Sequence, residues 1–178
     1  MSCGKGGAMR AAEGKACDYD VVVRAACAEP TLSVIVAVHD MEANGYLADL
    51  LASFDAQDCE AGRVEYVLAD DCSSDGSLAQ AVAWAEGRDD ATVIHLYENM
   101  RQGAARNRAI DESRGRWFSI VDADDAVSSD YASSILVAAD ETGADAIVVR
   151  WIQLADEGMK PIAKTRQEAA REVTPHER

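Results

Sequence analysis

Short β-branched runs alternate with stretches of helical periodicity along this chain, and that alternation limits its fold more than any other feature. Leu32-Ser33-Val34-Ile35-Val36-Ala37-Val38 is short and apolar on both sides, as a strand covered on both faces must be. Tyr46, Leu47, Leu50, Leu51 and Phe54 then recur at helical spacing. The unit repeats: a strand at Val64 to Leu68 and a helix over Leu78 to Glu86, then a strand at Thr92 to Leu96 and a helix to about Ser113. Gly115 is placed to cap that last helix, ahead of a fourth strand at Trp117 to Val121. A helix through Ile135, Leu136 and Ala139 leads to a fifth strand, Ala146 to Trp151. This order predicts a parallel α/β sheet with right-handed crossovers.

The pattern sets the domain limits. Residues 1–29 are small and polar apart from Val21-Val22-Val23 and read as a flexible leader; residues 30–155 form the domain. Residues 156–178 are a charged tail, a weak helix from Ala163 to Glu172 or disorder. Five cysteines, widely spaced and without a C-x-x-C pair, read as free thiols in a reducing compartment. No apolar run approaches the ~20 residues that span a bilayer. The first thirty residues carry no signal-peptide core, so a cytoplasmic location is expected. With 32 acidic residues against 17 basic ones and a net charge of −15, the chain is no nucleic-acid binder, because phosphate-backbone affinity needs clustered Lys and Arg. One small phosphate site is still compatible with that charge if a carboxylate-held metal serves it.

In an open α/β sheet, ligands bind outside the carboxyl ends of the strands. The residues there are His39-Asp40, Asp70-Asp71, Glu98-Asn99 and Asp122-Ala123-Asp124-Asp125. So many acidic strand ends on one rim call for a cation or for donor groups on a ligand. Asp122 and Asp124, one residue apart at a strand exit, can face one crevice, and oxygen-only ligation suits Mg²⁺ or Mn²⁺. The plainer reading is that Asp124 or Asp125 caps a turn and the rest are solvated. The segment from Asp70 to Ser77 reads as a capped loop in which Asp75 or Ser77 opens the helix. It also has the register of a calcium loop, but Val82 stands where a bidentate Glu is required. No G-x-G-x-x-G or G-x-x-x-x-G-K-[ST] follows a strand. Arg101 lies near a predicted helix start, where free N–H groups favour an anion, with Arg106 one turn further in. Arg108 is expected to balance acidic neighbours on a solvated face.

Taken in order, four segments resemble the family 2 glycosyltransferases, nucleotide-sugar transferases of the GT-A fold. Leu32 to Asp40 is similar to the family's opening strand ending in Pro-Val-Tyr-Asn. Val67 to Ser77 is similar to its Asp-Asp-x-Ser-x-Asp-Gly-Ser/Thr loop. Asn99 through Gly103-Ala104-Ala105-Arg106-Asn107 is similar to its Asn…Gly-x-x-x-Ala-Arg-Asn segment, and Ile120 to Asp125 to its Asp-x-Asp-Asp motif. The resemblance covers about residues 31 to 150. It implies a Rossmann-like, mainly parallel sheet flanked by helices, the donor half of a GT-A fold without the C-terminal acceptor half.

What the resemblance implies can be placed on single residues. Asp71 would accept a hydrogen bond from the donor's base, a contact that suits uracil N3–H, and Val38 and His39 would line the base pocket. Asn99 and Arg106 would complete the nucleoside and diphosphate pocket, with Arg101 as a neighbour. Asp122 would contact ribose or metal, and Asp124 would hold Mn²⁺ or Mg²⁺ on the diphosphate. The implied activity is inverting transfer from a nucleotide-diphospho-sugar, such as a UDP-sugar, to a glycan or glycolipid acceptor in cell-surface glycan synthesis. A membrane-held acceptor would bring peripheral membrane association.

Ala37, His39 and Asp40 depart from the family's Pro, Tyr and Asn. His39 could stack as a neutral ring or sit partly protonated beside Asp40. The chain continues for only about 50 residues after Asp125. Glu157, Glu168 and Glu172 are not assigned as the general base, so no catalytic residue is named. The alternatives are a nucleotide-sugar-binding module without transferase activity and an Mg²⁺ phosphotransferase with Asp122 as nucleophile. The second lacks a supporting lysine or threonine motif.

Overall fold

The computed structural model describes residues 18–27, 29–142 and 146–147. Nine elements follow in order: β1 (Tyr19–Val23), β2 (Leu32–Val38), α1 (Tyr46–Asp55), β3 (Val64–Asp70), α2 (Ser77–Ala85), β4 (Ala91–Leu96), α3 (Arg101–Glu112), β5 (Trp117–Asp122) and α4 (Tyr131–Glu141). They build a five-stranded sheet of order β1-β4-β3-β2-β5. The pairs of β2 with β3, β3 with β4 and β2 with β5 are parallel; β1 alone runs antiparallel, against β4.

The apolar runs fold as they do because helices cover both faces. Val34, Val36, Val38, Tyr66, Leu68 and Val93 point to one side, where Leu47, Leu50 and Phe54 of α1 and Leu136 of α4 join the same cluster. Ile35, Val67, Ala69 and Ile94 point to the other, against Ala105 and Ala109 of α3. The small Ala105 and Ala109 side chains let the α3 backbone lie close to β2 and β3, with Ile110 packed against the same cluster. No described helix is long and apolar enough to cross a membrane.

Three expectations change. The stretch read as a leader supplies β1: Tyr19, Val21 and Val23 are half-buried between exposed Asp20 and Val22. This is the alternation of an edge strand with one wet face. Tyr19 Oη and Arg24 Nη2 both donate to Glu112, at 2.5 and 2.6 Å, and Arg108 pairs with Asp18, which ties this edge to α3. Arg108 therefore balances acidic neighbours, as expected. Gly115 is not a helix cap; Ser113 terminates α3 in an extended conformation. A side chain at Gly115 would meet the Ser33 amide nitrogen at 2.7 Å and the Trp117 carbonyl at 2.8 Å, so close approach of backbone requires the glycine. Finally, β3 and β5 run on through Asp70 and Asp122, which makes these aspartates strand residues. The expected strand beyond Ile147, the tail helix, residues 1–17 and two of the cysteines, Cys3 and Cys17, lie outside the described residues; Cys27, Cys59 and Cys72 are free thiols.

At the amino end of the sheet, Glu65 is fully buried. It accepts from Ser33 Oγ at 2.7 Å, from the Arg114 amide at 2.5 Å, and from Arg114 Nε and Nη2 at 3.0 and 2.7 Å. Four donors on one carboxylate compensate for its removal from water.

Candidate functional site

Strand order reverses between β2 and β5, because the chain moves outward from β2 through β3 to β4 and then returns to the other side of β2. A crevice opens at such a switch point, outside the carboxyl ends of the strands. Register places Ala37 beside Asp122, Val38 beside Asp70, and Asp70 beside His95 across that end of the sheet.

Two loops that leave this edge are stapled together. The Asp40 amide donates to Ser73 Oγ at 3.1 Å and the Ser74 amide to Asp40 Oδ1 at 2.7 Å. The Met41 amide donates to Ser77 Oγ at 2.7 Å and the Glu42 amide to Asp75 Oδ2 at 2.9 Å. The Gly76 amide donates back to Glu42 Oε2 at 2.8 Å. A side chain at Gly76 would come within 2.6 Å of Glu42 Cδ, so the exposed Glu42 carboxylate would have to shift. Burial pushes the Asp75 carboxyl up, but hydrogen bonds from the Ser77 hydroxyl and amide and from the Glu42 amide outweigh it and hold it below the usual range. The sequence offers Asp75 as a helix opener or a calcium-loop position, and gives Asp40 and Glu42 no bracing role.

Three non-glycine residues at this edge take left-handed backbone: Asp40 (φ 50°), Cys72 (φ 56°) and Arg101 (φ 69°). Each such conformation costs about 1–2 kcal/mol. The hydrogen-bonded frame maintains it, and such outliers cluster at binding sites.

Inside the frame, the Asp71 amide donates to the Val38 carbonyl at 2.8 Å, which fixes both residues side by side. Asp71 is 2% exposed, and its Oδ1 accepts the Met100 amide at 2.7 Å, just before α3. Asn99 Oδ1 accepts the Arg101 amide at 3.1 Å. Two N–H groups that a helix start leaves without intrahelical partners are thus satisfied by site residues. Asn99 Nδ2 lies 2.9 Å from His39 Nε2; with the amide donating, Nε2 is the ring's acceptor. His39 Nδ1 and Arg106 Nε are buried without partners among the described residues. Arg106 Nη2 pairs with Asp122 Oδ1, and Gln102 Nε2 approaches the same oxygen at 3.3 Å.

The structure therefore joins Val38 to Asp71, His39 to Asn99, and Arg106 to Asp122. Arg101 and Asp124 stand exposed on the rim. The Asp125 amide donates to the Asp122 carbonyl at 3.1 Å, which turns the chain after β5. Burial raises the Asp125 carboxyl, and the charges of Asp124 and Asp122 raise it further.

That mutual repulsion is one that a divalent cation would relieve. Among the described residues no group of three or more His, Cys, Asp or Glu side chains is placed to hold a metal ion. Mg²⁺ and Mn²⁺ do not need one: bound to phosphates, Mg²⁺ usually takes one or two carboxylates and keeps waters. Asp122 and Asp124 fit that requirement, whereas a closed all-protein cage does not. Two hollows lie elsewhere, one beside Trp117 and Ile135 and one lined by Cys27, Arg88, Asp89 and Asp90.

Comparisons with known proteins bear on the family and the fold. The family model described as glycosyl transferase family 2 matches residues 33–169. The chain is 34% identical over 114 residues to the putative glycosyltransferase EpsH of Bacillus subtilis, covering 64% of this chain and 32% of that protein. It is 39% identical over 85 residues to the succinoglycan biosynthesis protein ExoO of Rhizobium meliloti, covering 48% and 24%. The crystal structure of S. aureus TarS 1–349 in complex with UDP-GlcNAc superposes with a TM-score of 0.58 at 29% identity, covering 62% of this chain and 31% of that one. The mannosyltransferase PcManGT of Pyrobaculum calidifontis, in complex with GDP-Man and Mn²⁺, superposes with a TM-score of 0.53 at 25% identity, covering 64% and 34%. The chain thus spans about a quarter to a third of the length of these relatives.

Proposed function

Since the chain belongs to glycosyl transferase family 2 and has the sheet of that family's GT-A neighbours, we propose that its rim binds a UDP-sugar with Mn²⁺ or Mg²⁺. It would do so for inverting transfer of the sugar to a glycan or glycolipid acceptor in cell-surface polysaccharide synthesis. The observation that carries this reading is the convergence of Asp71, Asn99, Arg106 and Asp122 at the β2/β5 switch point, inside a hydrogen-bonded frame.

Asp71 has one oxygen committed to Met100 and a second for a base N–H, with Val38 and His39 as the walls beside it. Asn99 orients His39 and the start of α3, where a diphosphate meets the helix dipole and the Arg101 guanidinium. Arg106 holds Asp122 in place for ribose or metal, and Asp124 completes the carboxylate pair. When bound, the divalent ion neutralises charge on the departing nucleoside diphosphate. Support comes from relatives named for polysaccharide synthesis and from neighbours solved with UDP-GlcNAc and with GDP-Man and Mn²⁺.

Calorimetric titration of the chain with UDP, with and without Mn²⁺, tests donor binding. Binding strengthened by Mn²⁺ is expected, and no heat at millimolar UDP would overturn the reading. Sugar release or transfer from a UDP-sugar then separates a transferase from a donor-binding module.

A further inference from the structure

Asp70 and His95 are register partners on β3 and β4, and the donor-site roles proposed above leave both unused. His95 Nδ1 lies 2.7 Å from Asp70 Oδ2. Asp70 is only 1% exposed. An ionised carboxylate has acceptors alone, so Nδ1 carries the proton and donates. Asp70 Oδ1 has no partner among the described residues, and Oδ2 accepts one further bond, from the Ser73 amide at 3.2 Å. Without His95, this buried charge would keep a single long hydrogen bond, which a group removed from water cannot tolerate in place.

The Asp70-to-Ser73 bond closes the turn that contains Asp71 and left-handed Cys72. Ser73 Oγ in turn receives the amide of left-handed Asp40. Asp71 is thus fixed from three directions: by the Val38 carbonyl, by the Met100 amide and by the turn that Asp70 closes. The last of these depends on His95.

We propose that His95 is a positioning residue for nucleotide recognition: its Nδ1–H, bonded to Asp70, holds the left-handed turn that aims Asp71 at the base. The proposal rests on the donor-binding reading. It acts through Asp71 and needs no contact between His95 and the ligand.

The full chain is tested as His95→Phe, which keeps a ring without a donor, and as His95→Asn, whose amide can donate from near the Nδ1 position. Asp70→Leu, which keeps the branched shape without an acceptor, is the matching change on the other partner. Two quantities are read: UDP affinity in the presence of Mn²⁺, and the rate at which iodoacetamide alkylates Cys72, followed by mass spectrometry without ligand. His95→Phe and Asp70→Leu should weaken UDP roughly tenfold, equivalent to about 1.4 kcal/mol, and speed Cys72 labelling. His95→Asn should restore both. In an Asp71→Ala background His95→Phe should cost no further affinity, since the group it positions is gone. Equal losses in the Phe and Asn variants, an additive loss on Asp71→Ala, or an unchanged Cys72 rate would overturn the positioning role. Absence of UDP binding by the unaltered chain would instead overturn the donor reading, whatever the labelling shows.

Discussion

Gly103→Ala separates the needs of the fold from those of the site. Gly103 is the third residue of α3, and a methyl group built there meets nothing within 4 Å. Its φ lies outside the left-handed region, so alanine fits without strain and the unfolded chain loses freedom. The expected gain is about 0.5–1 kcal/mol. For a domain of this size that is a rise of roughly 2–6 °C in Tm. The methyl also leans toward the helix N-terminus, as every helical Cβ does. It would enter the space ahead of Arg106, one turn further on, whose guanidinium holds Asp122. That is where the proposed diphosphate lies, so UDP affinity should fall about tenfold, or 1.4 kcal/mol. Thermal denaturation by circular dichroism and calorimetry with UDP and Mn²⁺ read the two effects in one preparation. A lower Tm would contradict the open surroundings of Gly103. A higher Tm with unchanged UDP affinity would move the diphosphate away from the start of α3.

Other perturbations probe other parts of the molecule. Asp124→Ala should abolish the Mn²⁺-dependent part of UDP binding and change folding stability by less than about 0.5 kcal/mol, as for exposed surface changes; calorimetry with Mn²⁺ and with a chelator checks it. Arg114→Ala strips a fully buried Glu65 of its cation and should cost about 3–5 kcal/mol, measured by urea unfolding. At Glu112, burial raises the carboxyl, but the Tyr19 and Arg24 hydrogen bonds and the Arg24 charge win and hold it below its ordinary value. Its stabilising contribution is therefore complete above the ordinary Glu value and lost as pH falls through the lower folded one. The protection of β1 amides, corrected for the intrinsic pH dependence of exchange, should fall on acidification below about pH 4.5, by less than roughly 1 kcal/mol because Arg24 is half exposed. Glu112→Gln should remove that pH dependence.

The parallel strands were legible because burial on both faces forces a nearly unbroken β-branched run, as in Leu32 to Val38. β1 was not, because an edge strand with one wet face carries only three half-buried side chains, here preceded by a polar, glycine-rich stretch. Gly115 misled for a related reason. A glycine after a helix reads as a cap, and only the tertiary structure shows the Ser33 backbone pressed against it. In the site, the motifs marked Asp71, Asn99, Arg106 and Asp122, which the structure brings to one end of the sheet. The loop frame of Asp40, Glu42, Ser73, Asp75 and Ser77 joins positions about 34 residues apart, and no local spacing rule reports such pairs. The dependence of Asp70 on His95 was hidden in the same way, since only strand register sets them side by side.

Every bond in the loop frame described above is donated by a main-chain amide on one loop and accepted by a side-chain oxygen on the other. Amides are blind to sequence, so only the acceptors of Asp40, Glu42, Ser73, Asp75 and Ser77 must keep their chemistry for the frame to close. His39 and Met41, which supply none of those acceptors, can exchange without loosening it, whereas a residue at position 72 must suit left-handed backbone. In the proposed donor site, a wall residue such as His39 can thus change while the scaffold stays constant, a separation that lets one architecture be retuned by a few substitutions.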